Sequence, residues 1–189
     1  MKSLLGALFM GSLLLTTAAC GTASNASAAS KAPTFHQKLV SQVQQYFVKA
    51  KTASLGTSYQ VTTAELDQDL KSNPGKYFLM DVRLPTGPSK APGYQQGHIP
   101  GAVNIPYFDV GKDLSQIPKN KIIVTICYTG QWANQTAAIL RLLGYRAYAL
   151  HLSMSDWNQR LDILPHRTQV PNYPLVTGTK PGTFPKTGS

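Results

Sequence analysis

Lys121-Ile122-Ile123-Val124-Thr125-Ile126-Cys127-Tyr128-Thr129-Gly130-Gln131-Trp132-Ala133 is the stretch that decides the fold. Lys121 to Ile126 is a continuous β-branched run, the composition of a strand buried on both faces of a parallel sheet. From Ala133 to Leu143 apolar residues recur at helical spacing, and Gly144 stands at the C′ position where a left-handed residue ends many helices. Between strand and helix lie Cys127, Tyr128, Thr129, Gly130, Gln131 and Trp132. In open α/β sheets this is the carboxyl end of a strand, where ligands bind. A glycine-bearing turn there aims several backbone N–H groups into one concavity, reinforced by the positive end of the following helix. A thiol in such a turn is drawn toward thiolate, its reactive form. The same amides would stabilise an anion carried on the sulfur, such as a persulfide. The alternative is a structural cysteine, because free cysteines are commonly buried.

Outward from this loop the pattern alternates helix and strand. Thr62-Thr63-Ala64-Glu65 is a capping box opening a short helix with Leu66 and Leu70 on one face, ended by Asn73-Pro74-Gly75. Tyr77 to Val82 reads as a buried strand, Ala102 to Ile105 as a shorter one and Arg146 to Leu150 as the last. Helices between buried strands predict a parallel α/β sheet with right-handed crossovers. Ahead of this domain, Phe35, Leu39, Val43 and Phe47 recur every four residues, predicting an amphipathic helix over 35–50. Its lysines allow it to lie on a membrane, but packing on the following domain is the commoner fate of such a stripe.

The 189 residues suit one ordinary domain with extensions. Eighteen Lys and Arg against eight Asp and Glu give a net charge of +10. Residues 63–164 hold ten of the basic residues and all eight acids, so the surplus sits mostly in the arms and does not point to nucleic acid. Only Cys20 and Cys127 are cysteines, which excludes a disulfide scaffold, a two-cysteine redox motif and a multi-cysteine zinc site. His36, His98, His151 and His166 form no ligand motif, so neither a metal nor a cofactor is expected.

Residues 1–19 read as a secretory signal: Lys2, an apolar run from Leu4 to Leu15, then small residues. The run falls short of the roughly 20 apolar residues that span a bilayer. Thr17-Ala18-Ala19-Cys20 resembles a bacterial lipobox, with Thr17 where leucine is usual, and predicts a Cys20 carrying palmitate-type acyl chains. Ordinary cleavage after Ala19 is the alternative. The expected location is extracytoplasmic, anchored to a bacterial membrane, or else secreted and soluble. Residues 20–33 read as a flexible tether, 34–61 as the helix and a linker, 62–164 as the domain and 165–189 as an extended Pro/Gly/Thr-rich tail. The tail would lie on the domain through Tyr173, Leu175 and Val176. Phe184 to Gly188 matches a cell-wall sorting motif only faintly, without its usual apolar sequel.

Asp81-Val82-Arg83, Gly97-His98-Ile99-Pro100-Gly101-Ala102, the Cys127 loop, Leu142-Leu143-Gly144-Tyr145 and Met154-Ser155-Asp156-Trp157 together resemble the rhodanese family, in the family's order and over residues 60–160. The resemblance implies a rhodanese-like parallel sheet flanked by helices. It implies that Cys127 accepts sulfane sulfur as a persulfide and passes it to a thiophilic acceptor. Tyr128, Thr129, Gly130, Gln131 and Trp132 would be the loop cradling that sulfur. The donor would be a small molecule such as thiosulfate, a polysulfide or a persulfide, and the acceptor a thiol. Asp81, Arg83 and His98 are expected in supporting places: Asp81 and Arg83 paired to fix a loop, His98 bonded within its turn. Three positions depart from the family pattern. No Arg or Lys stands in the loop, Trp132 replaces a small or basic residue, and His151-Leu152 stands where a Gly-Gly pair is frequent. The cysteine phosphatases need an arginine six residues after the cysteine, and Ala133 is there instead. Two functions remain: a membrane-anchored sulfurtransferase, and a non-catalytic rhodanese-like module that binds a partner or senses oxidants through Cys127.

Overall fold

Five short strands, all parallel, form one sheet in the order β1-β5-β4-β2-β3. The computed structural model describes residues 32–52, 57–88, 91–164 and 169–185. The elements in chain order are α1 (Phe35–Ala50), β1 (Gln60–Val61), α2 (Thr63–Ser72), β2 (Tyr77–Asp81), β3 (Val103–Asn104), β4 (Ile122–Ile126), α3 (Gln131–Leu142) and β5 (Arg146–Leu150). Residues 1–31, which include the expected leader and Cys20, lie outside the described residues.

β4 sits in the middle because its apolar residues point both ways. Val124 and Ile126 join Leu66 and Leu70 of α2 in one core, with Trp157 and Met154. Ile123 joins Ala133, Ala137 and Leu140 of α3 in the other, together with Cys127. Thr125 is the polar exception, fully buried with its hydroxyl 2.9 Å from Ala133 O and 3.1 Å from Tyr148 O. β2 and β4 run in register from Tyr77 beside Ile122 to Asp81 beside Ile126, so Asp81 reaches the same sheet end as Cys127.

α2 begins as its sequence predicts, with Thr62 and Glu65 exchanging capping bonds. α3 ends in a Schellman turn: Gly144, at φ 87°, donates to Arg141 O, and Tyr145 N–H donates to Leu140 O. Two expectations need correction. α3 starts at Gln131, two residues early, so Gln131 and Trp132 belong to its first turn rather than to the loop. Among the described residues, the connections flanking β3 hold only short 3-10 turns. A fifth strand, Gln60–Val61, pairs with Ala149 and Leu150.

α1 spans the expected residues, capped by Thr34 and Gln37. It packs on α3; Leu39, Tyr46 and Ala50 are half-buried and none of its residues is fully buried. Phe35, Val43 and Phe47 stay 82%, 36% and 68% exposed, so three of the four residues of the predicted stripe are exposed. Tyr59 Oη donates to Tyr46 O at 3.1 Å, and the Arg141 guanidinium lies 3.5 Å from the Tyr59 ring centroid. The tail crosses the domain: His98 and Val176 exchange backbone bonds, and Trp157 Nε1–H donates to Pro174 O at 2.8 Å. Tyr173 and Leu175 pack on the α2-side core and Phe184 is buried in it.

Candidate active site

Cys127 follows the last residue of β4 and is 2% exposed. The chain must then turn sharply into α3 while leaving amides inside the turn. Gly130 does this at φ 97°, ψ −15°, a left-handed conformation that costs L-residues with a Cβ about 1–2 kcal/mol. A Cβ there would also lie 3.4 Å from Leu152 N. The consequence is that Gly130 N–H points back and donates to Cys127 Sγ at 3.1 Å.

A second loop closes against the first. Cys127 N–H donates to Ser153 Oγ at 3.1 Å, and Ser153 Oγ donates to Leu150 O at 3.1 Å. Met154 N–H donates to Cys127 O at 3.2 Å and Ser155 N–H to Tyr128 O at 2.9 Å. Leu152 and Ser153 both take positive φ, 52° and 48°. The backbone conformation that glycine would favour therefore falls on residues 152–153, one later than the His151-Leu152 pair suggested. Ser153 is the functional neighbour that sequence reasoning missed; its only signal was a small polar residue just beyond a strand.

Asp81 and Arg83 are fully buried at the end of β2 and form one bidentate pair, with Nη2 2.7 Å from Oδ2 and Nε 3.0 Å from Oδ1. Arg83 Nη1 donates to Pro92 O at 3.0 Å and Nη2 also to Gly97 O at 2.7 Å. Four of the guanidinium's five N–H groups are thus held by the protein. Its remaining face lies 5.8 Å from the Tyr128 ring centroid, which places the pair behind the cysteine loop. Burial pushes the Tyr128 phenol up, and the Arg83 charge pulls it partly back. His98 is fully buried, stacked on Tyr94 at 3.6 Å, with Nδ1 2.9 Å from Tyr94 O and Nε2 3.0 Å from Lys180 O. It ties the loop to the tail and touches Cys127 nowhere; the link between them runs through Gly97, Arg83 and Tyr128.

On the other side, Trp132 and Tyr107 pack against the core cluster that contains Cys127. Trp132 stacks on Tyr107 with centroids 5.1 Å apart, and Phe108 and Tyr128 meet it edge-on at 5.6 and 5.9 Å. Thr129 is half-buried and Gln131 exposed. Among the described residues, no group of three or more His, Cys, Asp or Glu could hold a metal, and no helix is long and apolar enough to cross a membrane.

The sequence profile of the rhodanese-like domain matches residues 62–160. No curated protein matches the chain. Among solved structures, a rhodanese-related protein from Thermoplasma volcanium is similar at 20% identity, over 62% of this chain and 96% of its own, with a TM-score of 0.48. A protein from Bacillus halodurans is similar at 26% identity, over 64% and 82%, with a TM-score of 0.47. A rhodanese-like domain protein from Staphylococcus aureus is similar at 25% identity, over 52% and 90%, with a TM-score of 0.46.

Proposed function

The chain belongs to the rhodanese-like domain family, and from that premise we propose that it is a sulfurtransferase carrying sulfane sulfur as a persulfide on Cys127. The observation that carries the reading is the Gly130 N–H held 3.1 Å from Cys127 Sγ, in a turn between β4 and α3. An amide so placed favours negative charge on whatever sulfur occupies that spot, and the α3 N-terminus adds to it.

The cycle has two displacements. The Cys127 thiolate attacks the outer sulfur of a donor such as thiosulfate; the donor S–S bond breaks, sulfite leaves with the electron pair, and Cys127–S–S⁻ remains. An acceptor thiolate then attacks the outer sulfur and departs as its own persulfide, regenerating the Cys127 thiolate. Ser153 and the backbone bonds to Met154 and Ser155 keep the cysteine loop fixed through both steps. Asp81 and Arg83 hold the loop behind it. No cofactor enters this reading.

The test is steady-state production of thiocyanate from a sulfane donor and cyanide, with Cys127→Ser alongside. Turnover by the wild type that is lost in the variant supports the reading; no turnover with thiosulfate, a polysulfide or an organic persulfide refutes it. That second result would favour a non-catalytic module that binds a partner or senses oxidants.

The proposal extends to location: Cys20 lipidated and the domain held outside a bacterial membrane, supported by the leader-like residues 1–19 and the Ala-Ala-Cys that ends them. Radiolabelled palmitate should be incorporated into the wild type and not into Cys20→Ser. Equal labelling, or none in either, would contradict it.

A further inference from the structure

The hydrogen bonds around Gly130 continue from the cysteine turn out to the surface. Gly130 O accepts two donors from Asn134, the helical backbone N–H at 2.9 Å and the side-chain Nδ2–H at 2.8 Å. Asn134 Oδ1 accepts from Gln60 Nε2–H of β1 at 2.9 Å. Gln60 Oε1 in turn lies 2.7 Å from Nδ1 of the exposed His151. The direction of this chain follows from its inner end. A carbonyl only accepts, so Asn134 must turn Nδ2 toward Gly130 and Oδ1 away from it. Gln60 must then meet Oδ1 with Nε2, which leaves Oε1 for His151 and requires a hydrogen on its Nδ1. Turning Gln60 over alone would set oxygen against oxygen.

Gly130 stands between two peptides with different tasks. The N–H of one faces Cys127 Sγ at 3.1 Å, and the C=O of the other faces Asn134. Without a Cβ, glycine has no steric preference that would hold φ 97°, ψ −15° by itself. We infer that Asn134 is a positioning residue for the Cys127 sulfur, acting through the Gly130 carbonyl, and that Gln60 fixes which way its amide points. The inference rests on the sulfurtransferase reading and names what aims the amide of that site. The polarity of the chain makes it testable. In Gln60→Glu the new carboxylate only accepts, so it draws Asn134 Nδ2 to itself in a charge-assisted bond and leaves Asn134 Oδ1 facing the Gly130 carbonyl. In Gln60→Met, Asn134 loses its partner at Oδ1 and keeps its bond to Gly130.

The experiment treats the full chain with a polysulfide and, separately, with iodoacetamide, and follows both reactions on the Cys127 peptide by mass. Asn134→Ala should slow both by about three- to tenfold, the worth of one lost hydrogen bond. Gln60→Met should stay within about twofold of the wild type. Gln60→Glu should slow both reactions at least as much as Asn134→Ala does. Added to Asn134→Ala, however, Gln60→Glu should cost less than about twofold more. A bare negative charge, or a general loosening of the loop, would not give that pattern. Wild-type rates in Asn134→Ala, equal losses in the two Gln60 variants, or a Gln60→Glu loss that persists without Asn134 would overturn the inference. A folded wild type that gains no sulfur, while its iodoacetamide rates follow the pattern, would overturn the sulfurtransferase reading and leave the positioning of Cys127 standing.

Discussion

Replacing Arg83 by methionine should cost this domain about 3–5 kcal/mol, because it leaves a fully buried Asp81 carboxylate without its counter-charge. The size follows from what the guanidinium holds. It satisfies both Asp81 oxygens, at 3.0 and 2.7 Å, and the carbonyls of Pro92 and Gly97 at 3.0 and 2.7 Å. Solvent screens none of these contacts, so the loss should be nearly insensitive to added salt. At about 2–4 °C per kcal/mol for a domain of this size, the midpoint of thermal unfolding should fall by about 6–20 °C. Asp81→Leu alone should be comparably harmful, since it strands the arginine. The double variant Asp81→Leu/Arg83→Met removes both charges and should be milder than the sum of the two by about 2 kcal/mol or more. Urea unfolding followed by tryptophan fluorescence is a suitable assay, because Trp157 is fully buried. A loss under about 1 kcal/mol for Arg83→Met, or strict additivity in the cycle, would refute the pair as the support behind the Tyr128 side of the loop.

Gly130→Ala should destabilise the protein by about 1–2 kcal/mol, the penalty for a Cβ at φ 97°, and should slow persulfide formation further by displacing the amide from Cys127 Sγ. Thermal unfolding and donor loading measured on the same sample check both; an unchanged melting point would contradict the turn geometry. At high pH the domain should lose stability from pH 10 upward. Burial, then the Asp81 charge, pushes Tyr94 to about 12, and burial with the Asp69 hydrogen bond does the same for Tyr77. An unfolded tyrosine ionises near pH 10, so the folded state keeps its full advantage below that and loses it as pH rises toward 12. Tyr94→Phe should flatten part of that fall in a series of melting curves, and an identical alkaline slope in the variant would contradict it.

The strands that carry the site were readable because they are buried on both faces. Ile122 to Ile126 and Arg146 to Leu150 announce themselves by unbroken apolar or β-branched runs, and Thr62 with Glu65 fixed the start of α2. Gln60–Val61 was not readable, since two residues give no period and their pairing with Ala149 and Leu150 is decided by the sheet. The start of α3 was misplaced because the exposed Gln131 carries no apolar signal, whereas Gly130 in a left-handed turn sets the true boundary. At the site, Cys127 and its glycine turn were visible locally. The contacts of Cys127 with Ser153 and of His98 with Lys180 were not, because they join loops far apart in sequence through backbone atoms that carry no residue signature. The aromatic wall was half-visible: Trp132 stood out beside the cysteine, but its stacking on Tyr107 depends on where the 3-10 segment after β3 comes to rest.

The central claim is that Cys127 holds transferable sulfur, and mass spectrometry of the loaded chain tests it most directly. After exposure to a sulfane donor and removal of the excess, the account predicts one added sulfur atom on the peptide containing Cys127. That sulfur should be absent in Cys127→Ser and released as thiocyanate on adding cyanide. A folded chain that gains no sulfur at Cys127 from any sulfane donor, or gains one that cyanide cannot remove, would contradict it.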